Sequence, residues 1–150
     1  MTHIGRKLGA ILAGIGLGMA AATVPANPAA AAPEVDDFFV CGGYEPACEG
    51  GYTEGTIRWL NRSAQIHGVV FDRGEGSTTA IFEAFTASNV KVDSQTRTAD
   101  DDGYINGRTV PFDFPIGDPD LVGGINRIRI TVCFNLTPRD CSKQANETRG

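Results

Sequence analysis

Residues 127–134 read Arg-Ile-Arg-Ile-Thr-Val-Cys-Phe, and this stretch decides the fold. Its even positions are all apolar, whereas its odd positions are arginine, threonine or cysteine. Successive side chains of a β-strand point to opposite faces of the sheet, so this alternation gives one buried face and one wet face. Such a pattern is typical of an antiparallel sheet.

The same period of two recurs through the chain after residue 55. It is present in four further stretches, 56–60, 63–72, 90–98 and 110–116. Asn61-Arg62 fits either a tight hairpin or a bend within one long strand. Residues 78–87 fit helical and strand spacing alike, and we predict a central strand there because the neighbouring segments are strands. Prolines cannot donate ladder hydrogen bonds, so Pro111 and Pro115 place their strand at a sheet edge.

Turn-forming residues separate these short strands, and no segment is convincingly helical. The sequence therefore predicts an all-β fold. Since one sheet alone cannot bury its apolar face, we expect a small antiparallel β-sandwich, Ig-like or jelly-roll-like, with about six to eight strands. We place it at residues 56–141. An irregular Gly/Pro-rich segment is expected at 32–55 and a flexible polar tail at 142–150.

The chain contains four cysteines, which are Cys41, Cys48, Cys133 and Cys141. An even number in an exported chain predicts two disulfides, and three pairings are possible. We favour the two local bridges, because each closes a loop of about eight residues and needs no assumption about the fold. The spacings are too wide for the paired cysteines of a structural zinc site.

Residues 1–31 have the three parts of a cleavable secretory signal peptide. Arg6 and Lys7 are followed by an uncharged apolar run, 8–24, and then by small residues that end at Ala32, with cleavage expected after Ala31. Four glycines interrupt the apolar run, which favours a cleaved leader over a membrane anchor. We therefore expect a secreted, extracellular protein. The Ala- and Gly-rich leader resembles those of high-GC bacteria.

Charge excludes some classes of partner. The chain of 150 residues has 13 Lys and Arg against 18 Asp and Glu, a formal net charge of −5. The leader holds two of those cations and no acid, so the 119 residues that follow carry −7. An acidic domain repels nucleic acids and anionic bilayers, and we expect neither as a partner after cleavage. We expect the domain to be a monomer.

Three tyrosines are the candidate ligand contacts: Tyr44, Tyr52 and Tyr104. Tyr44 and Tyr52 lie near the first cysteine pair, and loops on a rigid scaffold are where binding residues concentrate. Trp59 shares the parity of Ile57, so we expect it in the core rather than in a sugar-stacking platform.

Acidic loops give a candidate calcium site, since calcium accepts oxygen ligands in flexible geometry. Its ligands would be Asp100, Asp102, Asp118 and Asp120. The spacing fails the EF-hand pattern, which needs acids at both ends of a loop flanked by helices. We expect no other cofactor.

Catalytic constellations are sparse. His67 is the one histidine beyond the leader, and no Gly-x-Ser-x-Gly motif accompanies it. Asp72 and Glu83 are the best-placed carboxylates for a glycosidase pair, but we favour Glu83 facing solvent or pairing with an arginine across the sheet. Arg127 and Arg129 form a basic stripe, for which we expect acidic partners such as Asp93 or Asp113.

The sequence thus favours a secreted, non-enzymatic binding protein whose ligand is an extracellular glycan or another protein. One alternative is a protease inhibitor that presents residues 41–48 as a disulfide-pinned loop. Another alternative is a small secreted hydrolase.

Overall fold

A computed structural model of the chain describes residues 32–42, 48, 50–74, 76–100, 107–135 and 140–150. The leader predicted at 1–31 lies outside these ranges. So do Tyr44, Tyr104, Asp102 and most of the loop proposed for an inhibitor. Over the ranges described, the structure contains no helix with the length and apolar character needed to span a bilayer.

In the described part of the chain, eight strands form two antiparallel four-stranded sheets. Sheet A has the order β1-β2-β3-β6, and sheet B has the order β5-β4-β7-β8. The strands are β1 Val35–Cys41, β2 Tyr52–Trp59, β3 Ala64–Asp72, β4 Ser77–Phe85, β5 Lys91–Asp100, β6 Arg108–Ile116, β7 Arg127–Phe134 and β8 Ala145–Thr148. The all-β, sandwich-like architecture predicted from the sequence is confirmed.

The core lies between the sheets and is centred on Phe82 of β4, which is fully buried. Three rings of sheet A meet it edge-on, with centroid distances of 5.8 Å to Phe38 and 5.3 Å to both Phe112 and Phe114. Edge-to-face packing is a favoured arrangement of aromatic quadrupoles. Trp59 is also buried, as its parity predicted, and its indole Nε1 donates to Asp36 Oδ2 at 2.6 Å.

Two glycines lie opposite each other in sheet A, Gly55 of β2 and Gly68 of β3. A Cβ on Gly55 would approach the Phe38 ring to 2.9 Å, and one on Gly68 would approach the Phe112 ring to 3.0 Å. The same Cβ atoms would also collide with the backbone of the neighbouring strand. The missing side chains therefore make room for both rings in the core.

Several strand assignments from the sequence are confirmed. β4 is central in sheet B, between β5 and β7, and the proline-bearing β6 is an edge strand of sheet A. Asn61-Arg62 lies in the turn of a β2–β3 hairpin, since these two strands pair antiparallel from Trp59↔Ala64 onward.

The structure corrects the prediction that residues 32–55 are irregular. This segment contains the whole of β1, and β2 begins at Tyr52 rather than at residue 56. In β1, Phe38 is buried and Phe39 is exposed. This alternation covers only a few residues, so it is easily missed in a sequence rich in glycine and proline.

The expected flexible tail at 142–150 is a second correction, because residues 145–148 form β8 and pair with β7. Arg149 then holds the chain end in place. Its guanidinium donates to the carbonyl oxygens of Leu60, Asn61 and Ser63 in the β2–β3 turn. It also lies 5.2 Å from the centre of the Trp59 ring. This polar segment is thus paired to β7 along its backbone and also contacts the β2–β3 turn through one long side chain.

Both disulfides join cysteines that are close in sequence, Cys41 to Cys48 and Cys133 to Cys141. This is the local pairing that the sequence favours. Cys133 has the outward parity of β7, so its bridge crosses the outer surface of sheet B. Two disulfides are consistent with an extracellular protein.

Candidate functional site

The outer face of sheet A carries a row of aromatic side chains. Phe39 of β1, Tyr52 of β2 and Phe71 of β3 share the outward parity of their strands, and we call these three residues the aromatic row. The register pairs Tyr52 directly with Phe71 and places Phe39 on the diagonal to Tyr52. Neighbouring ring centroids are 5.2 Å and 5.1 Å apart, with interplanar angles of 35° and 34°. The three rings therefore contact one another in sequence and form one continuous aromatic patch.

The aromatic row is open to solvent. Phe39 is 58% exposed, while Tyr52 and Phe71 are partly buried against each other and the sheet. A water-facing phenylalanine packed beside two further rings is unlike the single exposed apolar residues found on most surfaces. Contiguous exposed apolar patches usually mark interaction sites.

A shallow concavity of about 430 Å³ lies beside the aromatic row on the same face. Gly55 and Gly68, whose Cβ positions face the core, also line it. The side chains around it are Asp37, Glu54, Thr56, His67, Val69 and Pro111. Glu54 links the two features, because it pairs with Phe39 on one side and Val69 on the other.

The concavity offers mainly hydrogen-bonding groups. Asp37 and Glu54 bring carboxylate acceptors, Thr56 brings a hydroxyl, and His67 brings an imidazole. His67 is exposed, and within the described ranges no hydrogen bond or ion pair holds its side chain. The arrangement thus combines an apolar platform with an adjoining polar hollow, which is the composition of a ligand-binding surface.

Of the three tyrosines predicted as ligand contacts, Tyr52 lies at the centre of this surface. Tyr44 and Tyr104 lie outside the described residues. The sequence reasoning missed Phe39 and Phe71, although the outward parity of Phe71 was readable from its strand. What the sequence could not supply is the register that brings residues 39, 52 and 71 side by side.

Of the four aspartates predicted to bind calcium, Asp102 lies outside the described residues, and the structure does not bring the other three together. Asp100 lies opposite Ser77, at the end of the sheets where β4 begins. Asp118 and Asp120 follow Ile116, which lies opposite Ala64 at the other end. The two groups are thus separated by about a strand length, roughly 25 Å. Asp118 Oδ1 instead accepts from the backbone N–H of Asp120 at 2.8 Å. Across the described ranges, no group of three potential metal ligands occurs.

The carboxylates considered for a glycosidase pair are also apart. Asp72 is fully buried, and its Oδ1 accepts from the inward-facing hydroxyl of Thr78 at 2.6 Å. Glu83 lies on the outer face of sheet B, where Arg129 and Lys91 bind it. Partial burial alone would raise the pKa of Glu83, but hydrogen bonds from Arg129 and Lys91 outweigh it and hold that pKa below its usual range.

The partners expected for the arginine stripe are wrong. Arg129 pairs with Glu83, directly opposite on β4, rather than with Asp93 or Asp113. Arg127 donates to the side-chain oxygens of Asn146 and Asn89. Asp93 instead accepts from the backbone N–H of Gly117, and Asp113 accepts from Gln65.

Comparison with known proteins leaves the surface to be interpreted on its own geometry. No protein-family model, curated protein or solved structure matches this chain.

Proposed function

We propose that this chain is exported and that its folded part is a non-enzymatic binding domain, which takes an extracellular glycan on the outer face of sheet A. The observation that carries the proposal is the aromatic row, a tiled and solvent-facing patch of three rings on one rigid sheet. The leader-like composition of residues 1–31 and the two disulfides support export.

Stacking is the first part of the recognition. The two faces of a pyranose ring carry C–H groups, and these pack on an aromatic face while the ring's hydroxyls stay at the rim. Neighbouring centroids in the row are separated by 5.1–5.2 Å, so the row can contact more than one sugar of a chain. Because the rings sit on strands rather than on a loop, little ordering is needed when the ligand binds.

Hydroxyl recognition is the second part. A glycan lying on the aromatic row would extend over the concavity, where Glu54, Thr56 and His67 can exchange hydrogen bonds with its hydroxyls. Asp37 and Glu54 make this rim acidic, which disfavours uronic or sulfated sugars through like-charge repulsion. The surface therefore suits a neutral glycan better than an anionic one.

Binding to neutral polysaccharides tests the proposal. Mature protein is incubated with insoluble cellulose and chitin and run through gels that contain soluble neutral glucans and mannans. Wild-type protein is expected to bind at least one of them, and Phe39→Ala or Tyr52→Ala is expected to weaken that binding roughly tenfold. Tyr52→Phe keeps the ring and is expected to retain most of it.

The control is Val122→Ala, which removes an apolar side chain that is 89% exposed in the loop after β6, away from the aromatic row. It should bind as the wild type does. Failure of the wild-type protein to bind any neutral glycan, or equal binding by the Phe39→Ala and Val122→Ala variants, would refute the proposal.

A further inference from the structure

The outer face of sheet B differs from that of sheet A in its charge. Lys91 of β5 and Arg127 and Arg129 of β7 surround Phe85 of β4, and we call these three cations the cationic patch. The register sets Phe85 between Lys91 and Arg127. Glu83 is the one acid among them, and Asp100 lies at the far end of β5. The patch therefore has excess positive charge on a chain whose net charge is negative.

Glu83 forms ion pairs with two of the three cations. Its Oε2 accepts from Arg129 Nη2 at 2.7 Å and from Nε at 2.9 Å, while its Oε1 accepts from Lys91 Nζ at 3.2 Å. One carboxylate is thus shared by an arginine and a lysine, which leaves one positive charge without compensation at this position.

Arg127 is held in place without being neutralised. Its Nη1 donates to Asn146 Oδ1 and its Nη2 donates to Asn89 Oδ1, and both acceptors are uncharged amides. Across the described ranges, no carboxylate lies within ion-pairing distance of it. The guanidinium stacks on the Phe85 ring, with its carbon 4.2 Å from the ring centre. Among the residues that the structure describes, three of its five N–H groups have no partner.

A guanidinium that is fixed by stacking and by amide oxygens is preorganised for an oxyanion, because its remaining donors form the planar fork that matches carboxylate and phosphate groups. Repulsion from exposed acids more than one Debye length away, about 8 Å at physiological ionic strength, is largely screened at the patch. A single exposed ion pair is weak, whereas a polymer with repeated anions can engage Arg127 and Lys91 together.

We propose that Arg127 is the centre of an oxyanion-binding site for an anionic extracellular polysaccharide, on the face opposite the aromatic row. The recognised group is a carboxylate or a phosphate. This site is separate from the neutral-glycan surface, and each can fail without the other.

Affinity electrophoresis tests the site, with mature protein run through gels that contain polygalacturonate, phosphomannan or neutral dextran. Retardation by polygalacturonate identifies carboxylate as the ligand group, and retardation by phosphomannan identifies phosphate. Arg127→Gln is expected to weaken the interaction roughly tenfold. Arg58→Gln is the matched control, because it removes one exposed arginine from the outer face of sheet A and should bind as the wild type does.

A second variant separates charge from structure. Asn146→Asp keeps Arg127, its stacking and an acceptor oxygen, but places a carboxylate beside the guanidinium. It is expected to weaken binding as much as Arg127→Gln while leaving the melting temperature unchanged or higher. Equal retardation of the Arg127→Gln and Arg58→Gln variants, undiminished binding by Asn146→Asp, or no retardation of the wild type by either polyanion would overturn the proposal.

Discussion

Replacing Arg149 with alanine should destabilise the domain far more than its position near the chain end suggests. The side chain spans from β8 to the β2–β3 turn, where three backbone carbonyls accept its N–H groups, and it covers one face of Trp59. Its loss would expose those carbonyls to water and free the end of β8. Arg149→Ala therefore tests whether the tail is held by this contact.

The magnitude follows from the contacts. Hydrogen bonds from a charged donor contribute about 1.5–3 kcal/mol when buried, and near the surface we take roughly 1 kcal/mol for each of the three. Stacking on Trp59 adds roughly 0.5–1 kcal/mol. Arg149 Nε is buried without a partner in the described structure. Alanine removes this unfavourable group, so the expected loss of stability is smaller by roughly 1 kcal/mol. The net loss is roughly 2.5–3 kcal/mol, or about 10 °C in melting temperature for a domain of this size.

Thermal unfolding followed by tryptophan fluorescence is a suitable assay, because Trp59 is the single tryptophan of the chain and lies under the guanidinium. Arg58→Ala is the control, since it removes an exposed arginine next to Trp59 on the opposite face. A drop of less than 2 °C relative to that control, about 0.5 kcal/mol, would show that β8 is held by its ladder alone.

Three further predictions address packing, charge and covalent structure. Gly68→Ala should lower the free energy of unfolding by about 1–3 kcal/mol, because its Cβ would meet the backbone of β2 and the Phe112 ring. Gly74→Ala is the control, since its Cβ would have nothing within 4 Å, and urea denaturation should show almost no change in its stability. Burial, followed by the charge of Asp36, raises the pKa of Glu147 in the folded protein. Its contribution to stability is therefore fully present below the pKa of the unfolded chain and is lost as the pH rises through the pKa of the folded state. Glu147→Gln should therefore stabilise the domain at pH 7, with the gain vanishing by about pH 4 in urea titrations; an equal gain at both pH values would contradict this. Replacing both Cys133 and Cys141 with serine should cost roughly 2.5 kcal/mol through loop entropy, measured by calorimetry, and an unchanged melting temperature would show that β7–β8 pairing alone fixes that loop.

The strands that the sequence predicts most completely are those with one apolar face over seven or more residues. In β3, β6 and β7 the alternation is nearly complete, because most inward residues are flanked by residues that are polar or partly exposed. The edge position of β6 and the local disulfides followed from the chemistry of proline and from cysteine spacing. These are local signals, so a single sequence suffices to read them.

The inward face of β5 and the order of β8 depend on contacts that are distant in sequence. β5 is polar on both faces, and a register shift at Ala84/Phe85 changes which residues face inward. Its Arg97 then covers the Phe114 ring at 4.2 Å, so a charged residue takes a position that polarity assigns to solvent. β8 has no apolar pattern either; it pairs with β7, and Arg149 beyond it contacts residues more than 80 positions away.

The candidate site shows the same limit. Tyr52 was singled out because it lies near the first disulfide, but the patch exists only because three strands align their outward aromatic residues. Phe39 follows Phe38, and the sequence does not say which of the two rings is buried. The concavity is lined by outward residues of β1, β2, β3 and β6, and only the register brings these residues side by side.

Pro111 and Pro115 have a consequence for how copies of this domain behave at high concentration. Residues two apart in a strand direct their N–H groups to the same side, and the prolines must occupy the side of β6 that faces away from β3. The four residues whose backbone nitrogens face that flank are 109, 111, 113 and 115. Two of them are proline, so only two of the four positions carry an N–H donor. An incoming strand could not build a continuous ladder there, so this flank resists templated fibril growth even when the protein is crowded on a polymer surface.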